Sequence, residues 1–189
     1  MTPIEFKELW LPDDTNKWIE FDILEIEKAP INDLTKSFLK IGFPREPAPF
    51  LDFGWVSQNN KFYSVYSYYS KFKLSNLTQN YWMFGSDNNG NPICFDISAN
   101  DRIVLLDREQ RFEIIDKMNA NIAELAACLL LYKDFVTSIR SENNGVSFMD
   151  SNISEVQLSN LKERFKLINS NIFKESGFWR SEVNSLKRK

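Results

Sequence analysis

The sequence predicts a single α+β domain in which a central antiparallel β-sheet packs against helices. Residues 81–97 contain two stretches of strand-forming residues joined by a tight-turn signal, and a third such stretch follows closely at 102–107. From Asn121 onward the apolar residues recur at helical spacing instead. The 189 residues suit one domain with a substantial core.

Two segments precede the predicted sheet. Residues 13–30 alternate apolar and charged side chains with a period that fits either a helix or a strand. The next segment, DLTKSFLK at 33–40, places its apolar side chains on one helical face. Asn32 or Asp33 can cap this helix, and Gly42 ends it.

A proline-rich connection and an aromatic segment follow. Residues 44–49 contain three prolines, which exclude a continuous helix or strand and predict an ordered extended connection. Residues 61–72, KFYSVYSYYSKF, are rich in strand-forming aromatic side chains and predict a β-strand. Because its aromatic residues fall on both faces, either both faces are covered or a row of tyrosines is exposed.

The sheet itself is predicted from four stretches. Residues 81–85 and 92–97 form a hairpin, residues 102–107 add a third strand, and residues 111–115 add another. The short connections between these stretches make neighbouring strands antiparallel.

The polar tip SDNNGN, between the first two of these strands, is explained by turn chemistry. Asn89 and Gly90 tolerate the positive φ values that a tight hairpin requires. Asp87 is the only carboxylate in this tip, whereas a calcium loop gathers several oxygen ligands. A phosphate-binding loop would need a lysine and a following helix. Contact with a partner protein remains the functional alternative.

Two helices close the chain. The first runs from Asn121, its predicted N-cap, to Val136, and is apolar around much of its girth, as expected for a helix against the sheet. Residues 141–153 form a polar linker to a C-terminal helical segment, 154–189, whose Phe178 and Trp179 anchor it. The amphipathic helix of this C-terminal segment has apolar residues at helical spacing, namely Leu158, Leu161, Phe165, Ile168 and Ile172.

The chain contains no histidine. Ser-His-Asp and Cys-His catalysis, histidine acid–base chemistry and histidine metal sites are therefore excluded. The acidic pairs Asp13–Asp14 and Asp107–Glu109 have no pattern that indicates a pocket and fit solvated loops. We expect a protein with no catalytic residues, no metal site and no cofactor.

The charge is unevenly distributed. The net charge of the chain is −3, with −7 before residue 151 and +4 from that residue onward. A moderately acidic body argues against nucleic-acid binding and suits a basic protein partner.

Other features place the protein in a reducing compartment. The N-terminus has no secretory pattern, and the longest apolar run, at 125–132, is too short for a membrane span. Cys94 and Cys128 lie in apolar stretches without a CxxC pattern, as buried reduced thiols do. We expect a cytoplasmic protein that does not enter membranes.

Four segments taken in order resemble the SUKH superfamily of immunity proteins. These are FLKIGFPREPAPFLDFG, YWMFGSDNNGNPICFDI, RIVLLDRE and NANIAELAACLLLYKDF, which together span roughly residues 34–136. The matching signature positions are Gly42, Phe43, Pro44, Pro49, Phe50, Gly85, Asp87, Gly90, Ile93, Cys94, Asp96 and Asn119.

The resemblance implies an α+β fold and a non-enzymatic function. Bacterial members of this superfamily bind and neutralise a cognate polymorphic toxin, often a nuclease or a nucleic-acid deaminase. On this basis the predicted toxin-binding residues are Trp55, Tyr66, Tyr68 and Asp87, since aromatic side chains are enriched at binding hot spots. The alternative function is a non-enzymatic regulatory or small-molecule-binding adaptor.

Overall fold

A computed structural model describes residues 1–12, 16–54 and 61–186 and confirms the α+β class. Its main sheet is antiparallel, with strands in the spatial order β3-β4-β5-β6-β7, and a small ribbon pairs β1 with β2. The strands are β1 (Trp18–Ile19), β2 (Phe43–Pro44), β3 (Leu51–Phe53), β4 (Tyr81–Asp87), β5 (Pro92–Asp96), β6 (Arg102–Asp107) and β7 (Glu113–Asn119).

The hairpin β4–β5 is the centre of the sheet. Trp82 pairs with Phe95 and Met83 with Cys94, and a bulge then shifts the register at Gly85. A Cβ atom on Gly85 would lie 2.7 Å from the Asp52 carbonyl oxygen, so the glycine allows β3 to approach β4 closely.

Helices cover one face of this sheet. The longest, α5, lies against it, while α6, α7 and α8 close the side next to β7. The helices are α1 (Pro3–Trp10), α2 (Ile23–Lys28), α3 (Asp33–Ile41), α4 (Val65–Tyr68), α5 (Ile122–Glu142), α6 (Glu155–Ile168), α7 (Ile172–Glu175) and α8 (Gly177–Ser185).

The main core lies between the helices and this face of the sheet. It includes apolar side chains from the N-terminal helices, β3–β7, α5 and the C-terminal helices, which therefore share one hydrophobic cluster. Its largest fully buried aromatic side chains are Phe6, Phe38, Phe43, Phe53, Phe84, Phe95, Phe165 and Trp179.

The opposite face of the sheet carries a smaller core. There the segment 61–80 covers the sheet, with Tyr63 and Tyr69 packing on the cluster. The buried residues of this cluster are Val65, Met83, Cys94, Val104, Leu106 and Phe112. Both faces of β5 are thus buried.

The predicted strand at 61–72 is wrong. Its middle forms the single-turn helix α4, whose amides at Tyr68 and Tyr69 donate to the carbonyls of Ser64 and Val65, both at 3.0 Å. The Ser64 hydroxyl accepts from the Ser67 amide at 3.2 Å and caps the turn. Capping by serine and burial of Val65 outweigh the strand preference of the tyrosines.

Three boundaries also differ from the predictions. Arg111 and Phe112 have positive φ and form the turn before β7, so the strand begins two residues later and extends to Asn119. Helix α5 continues through the start of the predicted linker, which also contains a 3-10 turn at Phe148–Asp150. Helix α6 ends at Ile168, and Ile172 begins α7 instead.

Other predicted features are confirmed. Asn32 and Asn121 each cap the helix that follows, with side-chain oxygens that accept backbone amide hydrogens, and the third helix starts at the predicted place, after Ser154. Cys94 and Cys128 are free and buried. Burial raises the pKa of both thiols.

Candidate functional site

The turn at Pro47–Phe50 presents an aromatic ring to solvent. The Leu51 amide donates to the Pro47 carbonyl at 3.2 Å, and the peptide between Ala48 and Pro49 is cis. Phe50 has φ of 55°, which is uncommon for an aromatic residue, and its ring is 63% exposed. The backbone thus adopts an unfavourable conformation that places an apolar side chain in water.

On one side of this turn lies an apolar groove of about 540 Å³. The turn forms one wall, while α5, the 3-10 turn at 148–150 and the end of α8 form the others. Tyr132, Val136 and Phe148 contribute most of the helical wall, and Glu46 and Glu182 are the charged residues that line it. We call this the apolar groove.

A second groove, of about 480 Å³, lies on the other side of Phe50. The hairpin tip contributes Asp87 and neighbouring asparagines, and α8 contributes Phe178 and Glu182. We call this the hairpin groove. Pro49, Phe50, Leu51 and Glu182 line both grooves, and the whole area is the Phe50 surface.

The charged side chains that line the Phe50 surface are carboxylates, of which Glu46 is paired with Lys17 at 3.4 Å and with Arg45 at 3.8 Å. The charged side chains that line the two grooves, among the residues that the structure describes, are Glu46, Asp87, Asp116 and Glu182. Burial, with a smaller contribution from Glu182, raises the pKa of the Tyr132 phenol, which lines the apolar groove.

The Asp87 carboxylate organises the hairpin tip. Its Oδ1 accepts from the backbone amides of Asn89 at 2.9 Å and Asn91 at 2.8 Å, and its Oδ2 accepts from the Asn91 side chain at 3.1 Å. Gly90 has φ of 76°, as a tight turn requires. Asp87 therefore stabilises the turn at the hairpin tip, and its carboxylate also adds negative charge to the hairpin groove.

The predicted toxin-binding residues lie on two different surfaces. Asp87 is on the Phe50 surface, whereas Tyr66 and Tyr68 lie on α4, at the opposite face of the sheet. Trp55 is outside the described residues, as is the acidic pair Asp13–Asp14.

Most of the other signature residues belong to the scaffold. Gly42 has φ of 96°, and a Cβ atom there would overlap the Trp18 indole and the Ile19 carbonyl. Asp96 accepts from the amide of Ser98 at 3.1 Å. The remaining scaffold positions, all buried, are Phe43, Pro44, Gly85, Ile93, Cys94 and Asn119.

Sequence reasoning missed the helical wall of the apolar groove. Tyr132 and Val136 were identified only as apolar positions of α5, and Glu182 was not singled out. Their periodicity indicates helix burial, and no local pattern distinguishes a groove-lining position from a core position. The only sequence signal near this wall was the aromatic pair Phe178–Trp179.

The described part of the chain has no helix that is both long and apolar enough to cross a bilayer. No group of three His, Cys, Asp or Glu side chains in the same residues is arranged to hold a metal ion.

Comparison of the chain with protein-family models, with curated proteins and with solved structures finds no match. The resemblance to the SUKH superfamily therefore rests on the four sequence segments, and the functional argument rests on the geometry of the Phe50 surface.

Proposed function

We propose that this protein is an immunity-type protein that binds a cognate bacterial toxin, of nuclease or nucleic-acid deaminase type, and blocks it by occlusion. It acts stoichiometrically, without catalysis, without a cofactor and without binding nucleic acid itself. The observation that carries the proposal is Phe50, an exposed ring on a positive-φ backbone between two grooves whose charged lining residues are acidic.

The exposed ring supports a binding role on energetic grounds. Transferring a phenylalanine side chain from water into an interface contributes about 1.5–3 kcal/mol. A non-glycine residue with positive φ costs folding free energy, and such outliers cluster at functional sites. Phe112 has a similar φ but is buried, so the exposure of its ring is what distinguishes Phe50 and supports it as an aromatic anchor of the proposed interface.

The charge of the surface fits the proposed partner. Enzymes that act on nucleic acids need basic surfaces to hold the phosphate backbone. The acidic lining of both grooves complements such a surface and would accelerate association at low ionic strength. A nuclease bound here would have its basic substrate channel covered.

The resemblance adds an independent argument. Pro49 and Phe50 are far from Asp87 in the chain, yet all three line the hairpin groove. Among the signature residues, Phe50 and Gly90 are exposed and Asp87 is half-buried, whereas most of the others, Pro49 among them, are buried. The position of Phe50 and Asp87 on one surface favours a shared role in binding.

The test is co-expression with any toxin domain that a neighbouring gene encodes. We expect restored growth and a purified complex, and Phe50→Ala should weaken binding at least tenfold, which corresponds to about 1.4 kcal/mol. Phe72→Ala is the matched control, because its ring is 66% exposed but lies on the other face of the sheet. Affinity should not change in this control.

A second pair of variants separates charge from turn structure at Asp87. Asp87→Asn keeps one oxygen that can accept from the amides of Asn89 and Asn91, but it removes the charge and the second oxygen, which accepts from the Asn91 side chain. It should slow association at low salt and lower the stability less than Asp87→Ala, which removes all three of these hydrogen bonds. Absence of a complex together with absence of growth rescue would reject the immunity function.

The apolar groove also supports the second candidate, a small-molecule-binding adaptor. Its volume of about 540 Å³ and its apolar walls are typical of a ligand site. Native mass spectrometry of the purified protein tests this directly. A bound compound that is lost in the groove-filling variant Val136→Trp would favour the adaptor over toxin neutralisation.

A further inference from the structure

A second exposed surface lies on the face of the sheet opposite α5. Its rings are Tyr66 and Tyr68, each 37% exposed, and Phe72, which is 66% exposed. Lys71 and Lys73 flank Phe72 directly and are exposed as well. We call these five residues the tyrosine–lysine face.

The tyrosine–lysine face packs on the smaller core through the ring of Tyr69. The half-buried Tyr69 ring packs on buried Phe112 with centroids 4.7 Å apart. Tyr68 and Phe72 contact the same Tyr69 ring at 4.9 Å and 6.2 Å. The rings of Tyr68 and Phe72 therefore rest on the smaller core and need little ordering when a partner binds.

The local charge is opposite to that of the Phe50 surface. From Phe53 to Ser86 the chain contains three lysines and no aspartate or glutamate. Lys71 and Lys73 form no ion pair within the described part of the chain. Arg108 adds another positive charge beside Tyr69, where it partly offsets the rise that burial causes in the pKa of that phenol.

We propose that the tyrosine–lysine face is a docking surface for an acidic segment of another protein. Tyrosine supplies apolar area and a hydrogen-bonding hydroxyl with little loss of conformational entropy, which is why it is enriched in protein interfaces. The lysines supply charge complementarity to aspartate and glutamate side chains. The surface is separate from the Phe50 surface and does not depend on its function.

The ring geometry favours a protein segment over single-stranded nucleic acid. A base-stacking surface presents open ring faces to successive bases. Here the neighbouring rings are tilted, with interplanar angles of 55° for Tyr63–Tyr68, 80° for Tyr68–Tyr69 and 58° for Tyr69–Phe72. Tilted rings leave clefts that suit side chains.

The experiment selects peptides from a random phage-displayed library on the purified full chain. We expect the enriched peptides to carry net negative charge together with apolar residues. Fluorescence polarisation should show affinity falling at least tenfold for the double variant Lys71→Glu/Lys73→Glu and for Phe72→Ala. Phe50→Ala should bind the same peptides unchanged, and raising the salt concentration should weaken all binding.

Several outcomes would overturn the proposal. These are failure to enrich any peptide, enrichment of neutral or basic peptides, or equal binding to the charge-reversed variant. A labelled 20-nucleotide oligo-dT probe that binds more tightly than every selected peptide, with the same dependence on Lys71 and Lys73, would assign the face to nucleic acid instead. Because the toxin assay uses a different surface, its failure would leave these results unaffected.

Discussion

At the scale of single residues, Asn119 joins the C-terminal helices to the sheet. The buried Trp179 indole donates to Asn119 Oδ1 at 3.0 Å, and Asn119 Nδ2 donates to Glu124 Oε1 at 3.0 Å and lies 3.5 Å from Cys128 Sγ. The side-chain amide of Asn119, at the end of β7, thus accepts the hydrogen bond of a buried indole from α8 and also contacts α5. Such connected polar groups specify how helices dock on a sheet.

We expect Asn119→Ala to lower the free energy of unfolding by about 1–3 kcal/mol, since it leaves the Trp179 N–H buried without this acceptor. Urea denaturation measures the change. Trp179→Phe removes the donor instead, and the double variant should cost clearly less than the sum of the two single variants. Strict additivity would show that the hydrogen bond contributes nothing to stability.

At the scale of elements, α5 begins where the sequence places its cap. Asn121 Oδ1 accepts from the Glu124 amide at 2.9 Å. The Glu124 carboxylate does not return to the Asn121 amide as in a capping box; it accepts from Asn119 Nδ2 and from the Ala120 amide at 3.4 Å. The cap therefore also ties the helix to the end of β7.

Replacing this cap tests its contribution. Asn121→Ala should destabilise the protein by about 1 kcal/mol, because the Glu124 amide loses its acceptor. Asn121→Asp keeps an acceptor and adds a negative charge at the helix N-terminus, so its stability should match or exceed that of the parent chain. Thermal unfolding followed by circular dichroism distinguishes the two. Equal melting temperatures for the parent and the alanine variant would contradict this role.

The aromatic segment shows where local patterns mislead. Tyrosine and phenylalanine favour strands, and the alternation at 61–72 gave no sign of a helix. The backbone instead makes a single bridge between Ser64 and Trp82 before turning into α4. A single helical turn has too few residues to leave a period in the sequence, so only its packing on the smaller core reveals it.

At the scale of the whole molecule, the C-terminal helices belong to the main core. Phe165 of α6, Ile172 of α7 and Trp179 of α8 are at most 1% exposed and share one hydrophobic cluster with the sheet and α5. The polar segment before them therefore connects parts of one folding unit. Its composition alone resembles a linker between independent parts.

A truncated chain that ends at residue 153 should fail to fold cooperatively. Removing α6–α8 exposes the surface of α5 and β7 against which their buried rings pack. Urea unfolding is followed by tryptophan fluorescence and by far-UV circular dichroism. For the full chain the two unfolding transitions should coincide, whereas for the truncated chain they should not. A native-like, cooperative 1–153 fragment would place the C-terminal helices outside the core.

The sequence by itself determined the α+β class, the β4–β5 hairpin, the capped helices α3, α5 and α6, and the buried state of both cysteines. Each depends on periodicity or on side-chain chemistry within a few residues, which local interactions control. Only the tertiary structure decided which residues share a surface. Phe50, Asp87 and Glu182 meet because β3 begins where β4 ends, with Leu51 paired to Asp87, and α8 lies beside this edge. Tyr66 and Tyr68 are separated from them because α4 covers the other face of the sheet. Contacts between distant segments depend on how the elements pack, and local sequence patterns do not predict that packing.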